Sequence, residues 1–275
     1  MILSSTPPLL APEGGVALAV AAALLYLVAA LPAPALQRFC APAWLVAWLL
    51  HLLLLVADVG GLGQPEHGMR LGFAPVLSMT VWLLIAVHTI ESRFVPLPGV
   101  RRALGVAGAL AVLTALLFPG AVRPIEHELA PLHYALGVAS YALFAAAVLH
   151  ALMLDAAERR LRAGASAAAA AGPALGLPLL QLERITFRFV EAGFGVLTAT
   201  MILGASDVER WHWDHKWVFS ALAWCVFAAL LVGRHLRGWR GRKATRWLYI
   251  GAVLLLMSYA GSRFVFEVLL DRPPT

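Results

Sequence analysis

Ala43 to Val59 reads AWLVAWLLHLLLLVADV, and the fold class turns on what this stretch is. Apart from His51 near its middle and Asp58 at its end it is wholly apolar, and it approaches the ~20 residues an α-helix needs to cross a bilayer. The rest of the chain is of the same kind: 275 residues, 61% hydrophobic and only 13% charged, with a mean hydropathy of +0.81. Such a composition cannot clothe a water-soluble globule in polar surface. The expectation is an all-α, polytopic membrane helix bundle whose main partner is the lipid bilayer. Apolar runs fill nearly the whole length, so residues 1–275 read as a single membrane domain with no room for a separate soluble one.

Working outward from Ala43–Val59, eight spans are expected. They run at about Gly15–Leu31, Ala43–Val59, Leu71–Ile90, Ala103–Phe118, Leu132–Leu154, Ile185–Ala205, Trp217–Gly233 and Trp247–Leu270, each bounded by Pro, Gly or charge. Arg93, Arg101 and Arg102 follow the third span; Arg159, Arg160, Arg162 and Arg184 follow the fifth; six Lys and Arg residues from Arg234 to Arg246 follow the seventh. Every second connection is therefore basic, which assigns those three to the cytoplasm and both termini to the periplasm of a multi-pass protein in the bacterial inner membrane. The same distribution explains the formal charge of +6 and the pI near 9.9 as orientation charge, without nucleic acid as a partner. The Ala/Gly-rich stretch 163–178 is read as a low-complexity cytoplasmic linker. MILSSTPPLLAPEGG at the start lacks a basic region and is read as a short tail before the first span. Cys40 and Cys225 form no CxxC, CxxCH or zinc spacing, so no thiol relay or covalent haem attachment is encoded.

Polar groups inside apolar spans are expensive, which makes each a functional candidate. His51 lies midway along the second span, where it is either a ligand or a histidine hydrogen-bonded to a neighbouring helix. His133 opens the fifth span at the periplasmic level, and His235 follows the seventh at the cytoplasmic level, where it is a ligand or a snorkelling residue. His88 and His150 sit toward the cytoplasmic ends of their spans, as ligands or as helix-end residues. A neutral imidazole is the donor a haem iron would take, and two on different helices can clamp one porphyrin. The connection before the seventh span, WHWDHKW (Trp211–Trp217), concentrates aromatic and charged groups. It is either an interface belt or a set of walls and polar contacts for a flat amphipathic ligand, with Trp211, Trp213 and Lys216 as the contacts.

Three stretches resemble the membrane haem-handling proteins of cytochrome c assembly, the CcsA/CcmC/CcmF group marked by a tryptophan-rich periplasmic motif. HYALGVASYALF (His133–Phe144) is similar to the family helix that opens with an external histidine. GFGVLTATMILGA (Gly193–Ala205) resembles the helix leading into the motif. WHWDHKWVFSALAW (Trp211–Trp224) resembles its W-x-W-D-x-K tail, with the Gly238–Trp239 pair after the helix. LPLLQLERITF (Leu177–Phe187) and SYAGSRFVFEVL near the C-terminus are similar to the YpjD-like inner-membrane branch.

The resemblance implies haem b binding and its handling or presentation at the periplasmic face for cytochrome c biogenesis. The partners it implies are haem, apocytochrome c or another biogenesis subunit. His133 would be an external axial ligand, membrane histidines such as His51 and His235 an inner site, and Trp211, Trp213, Asp214 and Lys216 a haem platform. The chain departs from the family pattern in four places. No tryptophan stands between Gly204 and Trp211; His215 and Trp217 replace a Pro and a Glu; and the last span carries no histidine, so that His215, His212 or a propionate-anchoring Arg263 paired with Glu267 would have to substitute. Val232 occupies the inner histidine position, with His235 three residues later on the same face. Without a thiol relay or a large periplasmic domain, the expectation is a haem-handling component rather than a complete synthase. The alternative is an accessory or transport protein that kept the fold and lost full haem handling.

Overall fold

The computed structural model describes residues 12–31, 37–60, 69–93, 98–120, 122–123, 129–164, 179–206 and 215–269. Eight helices account for nearly all of them. They are α1 (Pro12–Ala30), α2 (Gln37–Val59), α3 (Phe73–Glu91), α4 (Pro98–Leu117), α5 (Ala130–Arg162), α6 (Leu179–Ser206), α7 (His215–Arg237) and α8 (Gly241–Leu256). α8 continues through a π-helical turn (Met257–Gly261), one α turn (Ser262–Phe264) and a second π segment (Val265–Leu269). Two short strands, β1 (Met69–Arg70) and β2 (Val122–Arg123), pair antiparallel. α2 through α7, and α8 with its extension to Phe264, are long and apolar enough to cross a bilayer; α1 supplies a shorter apolar stretch, Gly14–Ala30. The all-α, multi-pass architecture expected from the sequence is what is found. Of the linker read at 163–178, Ala163 and Gly164 form a turn and the remainder lies outside the described residues.

The helix ends follow from the sequence. Pro131 stands in the first turn of α5, where its missing N–H has no intrahelical partner to lose. Arg159, Arg160 and Arg162 close α5, and Arg234, His235 and Arg237 close α7, each set beside the negative end of its helix dipole. α7 stops at Gly238, which takes φ +64; the Trp239 N–H then returns to the Gly233 carbonyl at 3.1 Å and its indole covers Gly233. Val16, Val20, Leu24, Leu27 and Leu31 stand exposed along α1, an apolar face suited to lipid.

The helices form two groups. α1, α2 and α4 pack with α3 around Tyr26, Trp44, Ala47, Ile85 and Leu104. α5, α6, α7 and α8 pack around Phe144, Phe187, Phe227, Leu230 and Leu248, with the Phe144 and Phe227 rings stacked 3.8 Å apart. α3 belongs to the first group and also packs on α5 and on the π turn after α8, so it carries the seam between the two. Two devices fix the first group. The Trp48 and Trp82 indoles stack at 4.7 Å, and each N–H donates to the other residue's backbone carbonyl, at 3.3 and 3.1 Å. Gly105 and Gly108 let α4 approach α1 closely, since a Cβ at Gly105 would stand 2.8 Å from the Tyr26 carbonyl oxygen.

That contact yields a matched pair of variants. Gly105→Ala forces two backbones apart and lowers the stability of the detergent-purified protein by about 1–3 kcal/mol. Gly15→Ala in α1, where nothing lies within 4 Å of the new Cβ, is neutral or raises stability by up to about 1 kcal/mol. Thermal unfolding of both variants checks the contrast.

Candidate functional site

A cavity of about 280 Å³ opens in the seam at the end of the bundle where α5 begins and α6 ends. That volume lies at the low end of the range for ligand pockets. Val76 of α3, Val138 of α5, Leu197 and Met201 of α6 and Leu255 of α8 give it apolar walls. Its polar edge carries His133, Lys216 and Arg263. The hydroxyl-bearing Ser140, Tyr141, Thr200, Ser220, Ser258 and Tyr259 also line it, beside one imidazole and two cations.

Each polar group arrives by a local reason. His133 stands in the first turn of α5, and its ring lies against Gly204 of α6, where any Cβ would come within 2.7 Å of the ring. Lys216 is the second residue of α7, on a helix whose next residues, Trp217 and Ser220, also face the cavity. Arg263 is buried, with its guanidinium carbon 5.2 Å from the Tyr259 ring centroid, a cation–π geometry.

The π turn explains how Arg263 reaches the site. In a continuous α-helix, residues five apart point ~140° away from each other. A π turn closes its hydrogen bonds five residues apart and so realigns them. Ser258, five residues before Arg263, is thereby brought to the cavity side of the C-terminal helix with Arg263 and Tyr259, which four-residue spacing already aligns. The change of register is held from outside: the Leu255 carbonyl accepts hydrogen bonds from the Tyr141 hydroxyl of α5 and from Ser258. Tyr259 donates to the Leu71 carbonyl at 2.6 Å, tying the same helix to the start of α3.

The structure brings His133, Lys216 and Arg263 to one cavity and sets His215 at the same end, as the first residue of α7. Trp211, Trp213, Asp214 and His212 lie outside the described residues, as does the Glu267 side chain; the described residues on either side, Ser206 and His215, stand at the cavity end of α6 and α7. His51 is not at the cavity. It is buried in the first helix group, with Nδ1 3.2 Å from the Tyr26 hydroxyl and Nε2 2.8 Å from the Ser78 hydroxyl, so ligation at either nitrogen would sacrifice a hydrogen bond. His235 closes the opposite end of α7, ~28 Å along the helix from Lys216. It is exposed, bonded through Nδ1 to the Leu231 carbonyl and 3.7 Å from Glu191. His133 and His235 therefore cannot share one iron. Among the described residues no group of three or more His, Cys, Asp or Glu side chains is placed to hold a metal ion.

Tyr141, Ser258 and Tyr259 are the site residues that sequence reasoning did not single out as contacts. Tyr141 lies inside the His133–Phe144 stretch, but its partner lies 114 positions away. Tyr259 and Arg263 share an α-helical face four residues apart, whereas Ser258 and Arg263, five apart, do not, and only that one mismatch was a signal.

Comparison with known proteins agrees with this architecture. A family model described as cytochrome C assembly protein matches residues 36–270. The inner membrane protein YpjD of Escherichia coli (strain K12) is 29% identical over 234 residues, covering 82% of this chain and 85% of the relative. The cytochrome c biogenesis protein CcsA of Gloeobacter violaceus is 34% identical over 109 residues, 37% of this chain and 32% of that protein. CcsA of Synechococcus sp. (strain WH7803) is 34% identical over 86 residues, 30% of this chain and 27% of that protein. No solved structure matches at a significant level. The chain is a multi-pass inner membrane protein, and with a family match over most of its length it belongs to the cytochrome C assembly protein family.

Proposed function

We propose that the chain serves cytochrome c biogenesis by binding haem b as cargo in the seam cavity and presenting it at the periplasmic face. The observation that carries this reading is the presence of one imidazole and two cations in the lining of one cavity that also has apolar walls. A porphyrin has a flat apolar body, an iron that accepts a neutral nitrogen and two carboxylates, and these three needs correspond to the three kinds of group present. In this reading His133 offers its imidazole to the iron, Lys216 and Arg263 meet the propionates through charge-assisted hydrogen bonds, and Val138, Leu197, Met201 and Leu255 cover one part of the macrocycle. The cavity encloses only part of such a ligand, and the remainder falls to the connection between Ser206 and His215, with Trp211 and Trp213 as walls and Asp214 fixing the loop. His215 stands near enough in sequence to supply a second donor; His51 and His235, each held by other contacts, are the weaker members of the ligand set. Apocytochrome c or another biogenesis subunit would receive the haem, and the chain acts as a component rather than a complete synthase.

The absorption spectrum of detergent-purified protein from haem-replete cells, with pyridine haemochrome quantification, tests the reading. A Soret band with near-stoichiometric haem b supports it. A folded, colourless preparation overturns it in favour of an accessory protein that retained the fold.

With haem bound, His133→Ala lowers occupancy or moves the ferric spectrum toward high spin. Gly204→Val, which intrudes on the His133 ring, acts in the same direction by a smaller amount. Unchanged spectra in both variants remove His133 from the site.

For the platform, Trp213→Ala combined with Asp214→Ala speeds loss of haem to an apoprotein acceptor while membrane insertion stays normal; equal retention demotes the loop to an interface anchor.

A further inference from the structure

At the other end of the seam, Glu91 closes α3 and meets His150 of α5. His150 is buried, with 2% of its side chain exposed, and Glu91 keeps 12%. The imidazole has a fixed partner on each nitrogen: Nδ1 stands 2.7 Å from the Ala146 carbonyl oxygen and Nε2 stands 2.8 Å from a Glu91 carboxyl oxygen. The Phe189 ring of α6 covers it at 5.3 Å.

Proton counting decides the state of this pair. A carbonyl oxygen only accepts, so the short contact to Ala146 requires a hydrogen on Nδ1. With Nδ1 protonated, a neutral ring presents a lone pair at Nε2, and an ionised Glu91 would present another lone pair to it across 2.8 Å. The contact exists only if one further proton sits between them, as imidazolium and carboxylate or as imidazole and carboxylic acid. Both forms have zero net charge, the condition under which an ionisable pair is tolerated at this depth. The opposite tautomer, with the hydrogen on Nε2, would set the Nδ1 lone pair against the Ala146 oxygen.

The surroundings are mixed in charge. His88, one turn before Glu91 on α3, is buried, and its Nδ1 has no hydrogen-bond partner among the described residues; its ring stands edge-on to Trp44 of α2. Arg101 of α4 lies within electrostatic reach of His88. α6 contributes the apolar Phe189. His150 lies ~25 Å along α5 from His133, toward the end that carries Arg159, Arg160 and Arg162.

We propose that Glu91 and His150 form a binding site for a single proton that clasps α3 to α5. With the proton bound the basic end of the seam is closed, and its loss sets acceptor against acceptor and loosens that end. Because the unfolded chain has no such requirement, the clasp stabilises the fold while the proton is held and ceases to do so as rising pH removes it. The clasp uses no residue of the cavity at the far end.

Nuclear magnetic resonance of protein labelled with 15N-histidine in bilayers tests this. The His150 signals are assigned by their loss in His150→Gln or, if that variant does not fold, by their displacement in Glu91→Asp. The expected result is a protonated Nδ1 and an Nε2 signal that moves in Glu91→Gln. An unprotonated Nδ1, or an Nε2 signal indifferent to Glu91→Gln, overturns the proposal. The clasp is read from the half-life of the folded protein in detergent at raised temperature. Glu91→Gln, whose amide donates to Nε2 without a titratable proton, stays within about twofold of the parent, and Glu91→Leu shortens the half-life about tenfold. Raising pH through the point at which the 15N signals report proton loss shortens the parent's half-life about tenfold and leaves Glu91→Gln unchanged. Equal half-lives for Glu91→Leu and the parent, the same decline in Glu91→Gln, or a pair that keeps its proton as far as the fold survives would each overturn the proton-dependent clasp.

Discussion

Inside a bilayer a polar side chain has no water to fall back on, and this constraint governs the structure more than any single contact. Backbone groups meet it by forming helices. Side chains meet it locally or across helices: Thr80, Thr89, Thr114, Thr186, Thr198 and Thr200 bond back to carbonyls four residues earlier, while His51, Trp44, Trp48, Trp82 and Trp224 reach a neighbouring helix. Each reaching bond fixes a pair of helices in rotation as well as distance. The polar residues that make the chain difficult to bury are therefore also what specify how its helices meet.

The cavity results from the same constraint applied to the seam. α3 is shared by both helix groups, and near where it meets α5 and the C-terminal helix the packing leaves room lined by side chains of α3, α5, α6, α7 and that helix, His133, Lys216 and Arg263 among them. Arg263 is a long cation in the last helix, and a regular α-helix would keep it beside Tyr259, four residues back, but turn it away from Ser258, five back. The π turn brings all three to one side, and the Tyr141 hydroxyl on the Leu255 carbonyl is the outside support for that irregularity. Among the described residues the π-helical turns both fall in this last helix, the first of them at the site, consistent with a site that the fold maintains at some cost.

Much of this was legible in the sequence because the determinants are local. The spans follow from run length, their ends from Pro, Gly and basic residues, and the candidacy of His133, Lys216 and Arg263 from their motif context. What was illegible depends on partners far apart in the chain. His51 alone admits two readings, and Tyr26 and Ser78, 25 and 27 positions away, supply both of its hydrogen bonds. Glu91 and His150 each look like ordinary helix-end residues until α3 and α5 are set side by side, 59 positions apart. The π turn was hidden for a different reason: it changes the helical period, and any stripe read at 3.6 residues per turn loses its phase on crossing it.

The reciprocal indole bonds between Trp48 and Trp82 have a mechanical consequence. Sliding α2 past α3 by one residue would break both bonds and the ring stack together, so the two helices have a single permitted register and behave as one lever. Gly105 and Gly108 add α1 and α4 to the same rigid body by bringing their backbones into contact. Widening the cavity wall at Val76 is then a tilt of four helices about the seam, not the excursion of one. The fulcrum of such a tilt lies at whichever end of α3 is held more firmly, and a small yielding at one end is delivered as a larger displacement at the other.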